Sequence, residues 1–181
     1  MTRIYVDATT LIALGTIGEL DLLTSLTGTL VVLPAIRDEV TTEPAKTSLD
    51  RLCDRDAVET TLPPDAGDDE QAQTILDEPA VNGDVRLIAA VLAHTDADEP
   101  VGVISDDRRV RTVARGLGAT VTGTIGVIVR AVEEGLSEAD ATTIVRRLDD
   151  HGLHMTAELR ATAIELIEPA ASDSSADDPP E

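Results

Sequence analysis

Short β-branched runs alternate with amphipathic stretches along this chain, and that alternation limits its fold more than any other feature. Arg3 to Val6 is a compact β-branched and aromatic run ending at Asp7, and Leu30 to Leu33 is a second, stopped by Pro34. Val101 to Ile104 is the most strand-like segment, Ala119 to Thr122 reads as a last strand, and Ala57 to Leu62 is a weaker one closed by Pro63 and Pro64. Between them, Leu11 to Leu26 carries apolar residues at helical spacing, broken at Gly15 and Gly18. Helices are predicted over Ala35 to Glu43, Asp68 to Leu76, Asp84 to His94, Asp107 to Leu117, Gly126 to Glu134, Ser137 to Leu148 and Thr156 to Ile167. Strands separated by helices require βαβ crossovers, hence a mostly parallel central sheet in a three-layer α/β/α fold. The acidic stretch Asp65 to Gly83 is expected to lie over the surface as a connecting arm. The expected organisation is one domain over 1–167, with 136–167 a helical extension packed on it, and a disordered acidic tail over 168–181.

The 181 residues suffice for one real core, and 42% of them are hydrophobic. That core must be built of Leu, Ile, Val and Ala, because the chain has one Tyr and no Phe or Trp. An aromatic platform for stacking bases is therefore excluded. No apolar run has the length of a membrane span and no signal peptide opens the chain, so a soluble cytoplasmic protein without membrane contact is expected. A single Cys53 excludes an internal disulfide and a cysteine-rich zinc site, leaving a thiol nucleophile or, the better fit, a buried small hydrophobe. The net charge is -21, and the sole lysine is Lys46. Such a bias suits a chain kept hydrated in concentrated salt, and a halophilic source is expected. At molar salt the Debye length falls to about 3 Å, so this charge does not exclude an RNA substrate.

In parallel sheets ligands bind beyond the carboxyl ends of the strands, and acids occupy those places. Asp7 follows the first strand, while Asp106 and Asp107 follow Val101 to Ile104. Glu39 sits at the border of the buried face of its helix, and Asp84 stands on the inward face at the positive end of its own. Like charges crowded into one cleft need a cation. Oxygen ligands without Cys or His suit Mg²⁺ or Mn²⁺, and the chemistry such ions serve is phosphodiester hydrolysis. The carboxyls of Asp7, Asp84 and Asp107 are then expected to converge within the few ångströms that hydrated ions bridge. Solvated surface is the commoner fate of a single Asp, and helix capping is open to Asp107 and Asp84. For Asp7 the absence of a partner nearby in sequence favours function.

These residues resemble the PIN-domain family of metal-dependent ribonucleases, which includes VapC-like toxins of toxin-antitoxin systems. IYVDATTLIAL is similar to the family's opening strand with its first acid, on Asp7, and following polar residue, on Thr10. LPAIRDEV resembles the segment whose helix acid matches Glu39, and GDVRLIAAVLA the one whose acid matches Asp84. In VISDDRRVRTVA the Ser/Thr-x-Asp pattern falls on Ser105 and Asp107, with Asp106 an extra acid. GTIGVIVRAVEEGL and LDDHGLHMTAEL are similar to the later half of one subgroup. The resemblance implies an endoribonuclease using Mg²⁺ or Mn²⁺ that leaves a 5′-phosphate. Asp7 and Asp107 would be the main ligands, Asp84 would assist, Asp106 is a further candidate ligand, Glu39 would complete the cluster or orient water, and Thr10 and Ser105 would bind substrate. It leaves open a small antitoxin protein and a second copy of the chain as partners.

Arg108, Arg111 and Arg115 share one helix face beside these acids and either guide substrate phosphates or pair with acidic surface. Arg86, one turn into the Asp84 helix, has the same two uses. His151 and His154 fit a turn better than a metal site, and Gly123 and Gly126 fit a tight turn with Thr124 as helix cap better than a phosphate cradle. The alternative to a nuclease is a degenerate PIN-like binding module without activity. A phosphoacceptor receiver domain needs a lysine after a late strand, which the chain lacks.

Overall fold

The computed structural model describes residues 1–61, 68–151 and 157–174. Five strands, β1 (Arg3–Val6), β2 (Thr29–Val31), β3 (Val58–Glu59), β4 (Val101–Ile104) and β5 (Thr120–Thr122), form one all-parallel sheet in the order β3-β2-β1-β4-β5. The helices are α1 (Ala8–Thr16), α2 (Pro34–Glu39), α3 (Ala45–Cys53), α4 (Asp69–Leu76), α5 (Gly83–Asp96), α6 (Arg108–Gly116), α7 (Thr124–Glu133), α8 (Glu138–Asp150) and α9 (Ala157–Ser174), with a 3₁₀ helix at Leu20–Ser25. They cover both faces of the sheet, which is the expected three-layer α/β/α architecture.

The chain moves outward from β1 to β3 and then crosses back to β4, so strand order reverses between β1 and β4. That reversal opens a crevice outside their carboxyl ends. Backbone pairing runs one residue past each strand there: Asp7 N–H donates to the Ile104 carbonyl at 2.9 Å and Ser105 N–H to the Thr122 carbonyl at 3.1 Å. The crossover helix α5 buries Val85, Leu87, Ile88, Ala89, Ala90, Val91 and Leu92, more than one face of it. A helix apolar nearly all round belongs inside, and α5 lies among β4, α2, α4 and α6 with its N-terminus at the crevice.

Several elements differ from the sequence-based expectation. The helix expected over Ala35 to Glu43 ends at Glu39, because Val40 leaves helical geometry and Pro44 cannot donate a helical N–H. A separate α3 follows, its Ala45, Leu49 and Leu52 buried at helical spacing. The helix expected over Asp68 to Leu76 is present as α4, but the arm that holds it does not simply lie over the surface: α4 packs on α5 and α6, with Ala72 and Leu76 buried. The 168–174 part of the expected tail is helical: α9 runs to Ser174 despite Pro169, since Ala163, Ile167 and Ala170 continue one buried stripe and α9 lies against α7 and α8. Leu62, the proline pair after it, His154, the cap expected at Thr156 and the tail from 175 onward lie outside the described residues. Cys53 is half-buried against the core, and burial pushes its thiol up, which fits a small hydrophobe and not a nucleophile. No helix among the described residues is long and apolar enough to cross a membrane.

Helix α1 crosses α3 closely at Gly15, where an added Cβ would stand 3.0 Å from Ala45 Cα. Gly15→Ala gains about 1 kcal/mol of helix propensity but meets backbone, and overpacking costs typically 1–3 kcal/mol. We expect G15A to lower the thermal unfolding midpoint. Gly116→Ala, where nothing lies within 4 Å of the new methyl, is expected to leave it unchanged or raise it. Thermal circular dichroism of the two variants in the same KCl buffer checks both.

Candidate active site

Asp7 sits immediately after β1, is 3% exposed, and accepts three hydrogen bonds. Its Oδ1 takes the Thr9 N–H at 3.0 Å, and its Oδ2 takes the hydroxyls of Thr9 at 2.9 Å and Ser105 at 2.5 Å. Thr9, two residues on, is the local partner the sequence was expected to lack; an Asp capping its own helix through residue i+2 is a common local motif. Ser105 is fully buried and also accepts the Asp107 N–H at 3.1 Å. One hydroxyl thus couples the ends of β1 and β4. Ser105 and Thr10, expected to touch substrate, are both 0% exposed, and the Thr10 hydroxyl is buried without a hydrogen-bond partner. Neither reaches a substrate at the surface.

Asp107 caps α6, accepting the Val110 N–H on Oδ1 at 2.9 Å, and the residue is exposed. Asp106, expected as a further metal ligand, is committed elsewhere. Its Oδ1 accepts the Thr124 N–H at 2.9 Å and its Oδ2 the Thr124 hydroxyl, so it caps α7 from the neighbouring strand end. This corrects the expected Thr124 cap: Gly123 holds the cap position without a side chain, and any Cβ there would meet Asp106 Oδ1 at 2.5 Å.

Glu39, at the end of α2, accepts the Gly83 N–H at 2.7 Å through Oε1. A carboxylate at a helix N-terminus is favoured by the dipole, and here it anchors the first turn of α5, which Asn82 also caps through the Val85 N–H at 2.9 Å. Gly83 is required by this approach, since a Cβ would stand 2.6 Å from Glu39 Oε1. The anchored turn carries Asp84. Burial, then the charges of Asp7, Asp107 and Glu39, raise the Asp84 carboxyl from 3.8 to about 6, with Arg109 opposing them. Three carboxylates from three other elements therefore act on Asp84 at the switch point.

They do not form a closed cage. Among the described residues no group of three or more His, Cys, Asp or Glu is gathered closely enough to hold a metal ion. The convergence is looser than expected because Asp7, Asp107 and Glu39 each give oxygens to helix N-termini or hydroxyls, and like charges repel. Oxygen-only donors with such spacing fit a cation that keeps part of its water shell better than a dehydrated one.

Arg109, which sequence reasoning passed over, is the cation that moderates Asp84. It donates to the Leu76 carbonyl at 3.0 Å and to Glu78, fastening α4 to the start of α6. Arg86 pairs with Asp69 at 2.8 Å, whereas Arg108 and Arg111 have no ion pair among the described residues. His151 is exposed at the end of α8, and the buried His94 bridges Tyr5 at 3.0 Å and Glu99 at 2.9 Å.

A doubly wound parallel α/β domain with interacting carboxylates at its switch point defines the class of protein. The chain belongs to the PIN-domain family, whose model matches residues 3–169 and whose members are in general nucleases. No curated protein and no solved structure matches it significantly.

The raised carboxyl of Asp84 sets a pH dependence. An unfolded Asp ionises near 3.9. Because the folded value is higher, the stability contributed by protonated Asp84 is complete below pH about 4 and is lost as pH rises through about 6. Without divalent ions, Asp84→Asn is expected to raise the unfolding midpoint at pH 7 and to have no effect below pH about 4. Midpoints of both proteins measured in EDTA across this range check it; equal midpoints at pH 7 would contradict the coupling.

Proposed function

We propose that the protein is an endoribonuclease that hydrolyses RNA phosphodiester bonds with Mg²⁺ or Mn²⁺ at the acidic switch-point site. The observation that carries it is the gathering of Asp7, Asp107 and Glu39 about Asp84 closely enough for their charges to act on it, with Arg109 opposing them. Membership of a family of nucleases supports it. Asp7 and Asp107 would hold the ion, with Asp84 joining directly or through water. When bound, such an ion neutralises charge developing on the phosphoryl group and makes a water molecule more acidic.

The remaining work falls to the chain's own groups. Ser105 keeps Asp7 Oδ2 oriented, and the Val110 amide holds Asp107 Oδ1, which leaves Asp107 Oδ2 for a ligand. Glu39 holds the α5 turn so that Asp84 faces the crevice, and its second oxygen is available to orient the attacking water. Arg108 and Arg111 would contact substrate, and product ends would carry a 5′-phosphate. A toxin restrained by a small antitoxin protein, a homodimer, a cytoplasmic setting and a halophilic source belong to the same proposal; a small gene encoded alongside would favour the toxin.

The test is incubation of purified protein with total RNA in high KCl, with Mn²⁺ or with EDTA, beside Asp7→Asn. Fragments bearing 5′-phosphates are expected only with wild type and Mn²⁺, and the variant should be slower by more than about 100-fold, beyond what outer-shell changes cost. Titration calorimetry should show Mn²⁺ uptake by wild type and weakened uptake by D7N. Identical RNA profiles in all arms would instead identify a binding module, and no uptake of either ion would refute the metal dependence.

A further inference from the structure

The chain has 35 acidic residues against 14 basic ones, so an arginine at its surface finds a carboxylate easily. Of its thirteen arginines, eight do: Arg3, Arg37, Arg55, Arg86, Arg109, Arg130, Arg147 and Arg160 all form ion pairs. Among the described residues the other five have no ion pair, and three of them, Arg108, Arg111 and Arg115, lie on α6, the helix that Asp107 caps. They recur at i, i+3 and i+7 and so share a face, turned away from the buried Val110 and Ala114. The helical rise sets them about 4.5 and 6 Å apart along the axis, leading away from the acidic crevice. Arg111 reaches from this face to the β5–α7 turn, its Nη1 being 3.1 Å from where a Cβ on Gly123 would stand.

We propose that this face is a phosphate track, on which Arg108, Arg111 and Arg115 hold successive phosphates of single-stranded RNA running out from the acidic site. The proposal rests on the nuclease function and specifies how its substrate is held. The guanidinium fork matches phosphate oxygens, and arginine sheds water more readily than lysine. Bases contribute little to such a grip, since the only Phe, Tyr or Trp side chain, Tyr5, is 0% exposed. Recognition is then through the backbone, tolerant of sequence and steeply dependent on salt.

Binding of a fluorescent single-stranded RNA to protein carrying Asp7→Asn, followed by anisotropy across KCl concentrations at which circular dichroism shows the fold intact, tests the track. Each lost phosphate contact flattens the slope of log K against log salt by about 0.7 on a single strand, so Arg108→Gln, Arg111→Gln and Arg115→Gln together should flatten it by about 2. The control is Arg51→Gln with Arg146→Gln, the other two arginines without an ion pair among the described residues, on α3 and α8, which should keep the parent slope. An unchanged slope in the triple variant, or an equal loss in the control, would overturn the proposal. Polyglutamate competing as well as unlabelled RNA would also overturn it, in favour of an acidic protein partner. A flattened slope without cleavage by wild type would support the track and count against the catalytic function alone.

Discussion

The parallel pairing of β1 with β4 is the constraint on which the rest of the molecule depends. It joins strands far apart in the sequence, places the reversal of strand order at the centre of the sheet, and leaves two strand ends side by side with acids just beyond each. One buried hydroxyl, that of Ser105, then binds the Asp7 carboxylate and receives the amide of Asp107. A buried network of this kind is rigid when every member is satisfied and costly when one is missing. The site is therefore held by the same hydrogen bonds that finish the sheet, and its geometry cannot be altered without disturbing the central pair.

Much of this was legible in the sequence, and the legible parts share a cause. The bounds of β1 and β4 were readable because fully buried parallel strands are continuous apolar runs with abrupt polar ends, and the acids at those ends mark the crevice. What escaped depended on partners remote in sequence. Asp106 reads as a ligand beside Asp107, yet its oxygens meet Thr124, eighteen residues on, and nothing local distinguishes a cap donated across strands from a free carboxylate. Ser105 and Thr10 read as substrate-binding hydroxyls because their burial is a tertiary property. The pairing of Asp7 with Thr9 and the helix α3 were overlooked although local: the Asp-x-Thr turn and the Ala45, Leu49, Leu52 spacing were both present.

Capping accounts for the way the acids are arranged. A carboxylate at a helix N-terminus gains typically 0.3–1 kcal/mol from the dipole as well as a charge-assisted hydrogen bond. Asp7, Asp107 and Glu39 each stand at such a terminus, on α1, α6 and α5, and so part of their charge is compensated by amides before any cation arrives. Three helix N-termini converge on one crevice because α1 and α6 leave the ends of adjacent strands and α5 returns to them. The fold thus supplies positive partial charge exactly where the acids crowd together, which explains how the cluster is tolerated in the isolated chain.

Asp84 is the exception, and its position follows from that difference. It lies inside the first turn of α5, behind the Asn82 cap, and no amide or hydroxyl donates to it among the hydrogen bonds of the described residues. Each neighbour gives at least one oxygen to an amide or hydroxyl while Asp84 gives none, and burial, followed by the charges of those neighbours, raises its carboxyl toward 6. The two supports that keep it there, the Glu39 bond to Gly83 and the packing of α5 on all sides, belong to the core and not to the crevice. A group kept uncompensated by an otherwise well-satisfied frame is the one whose charge state responds most to what enters the site, be it a proton or a cation.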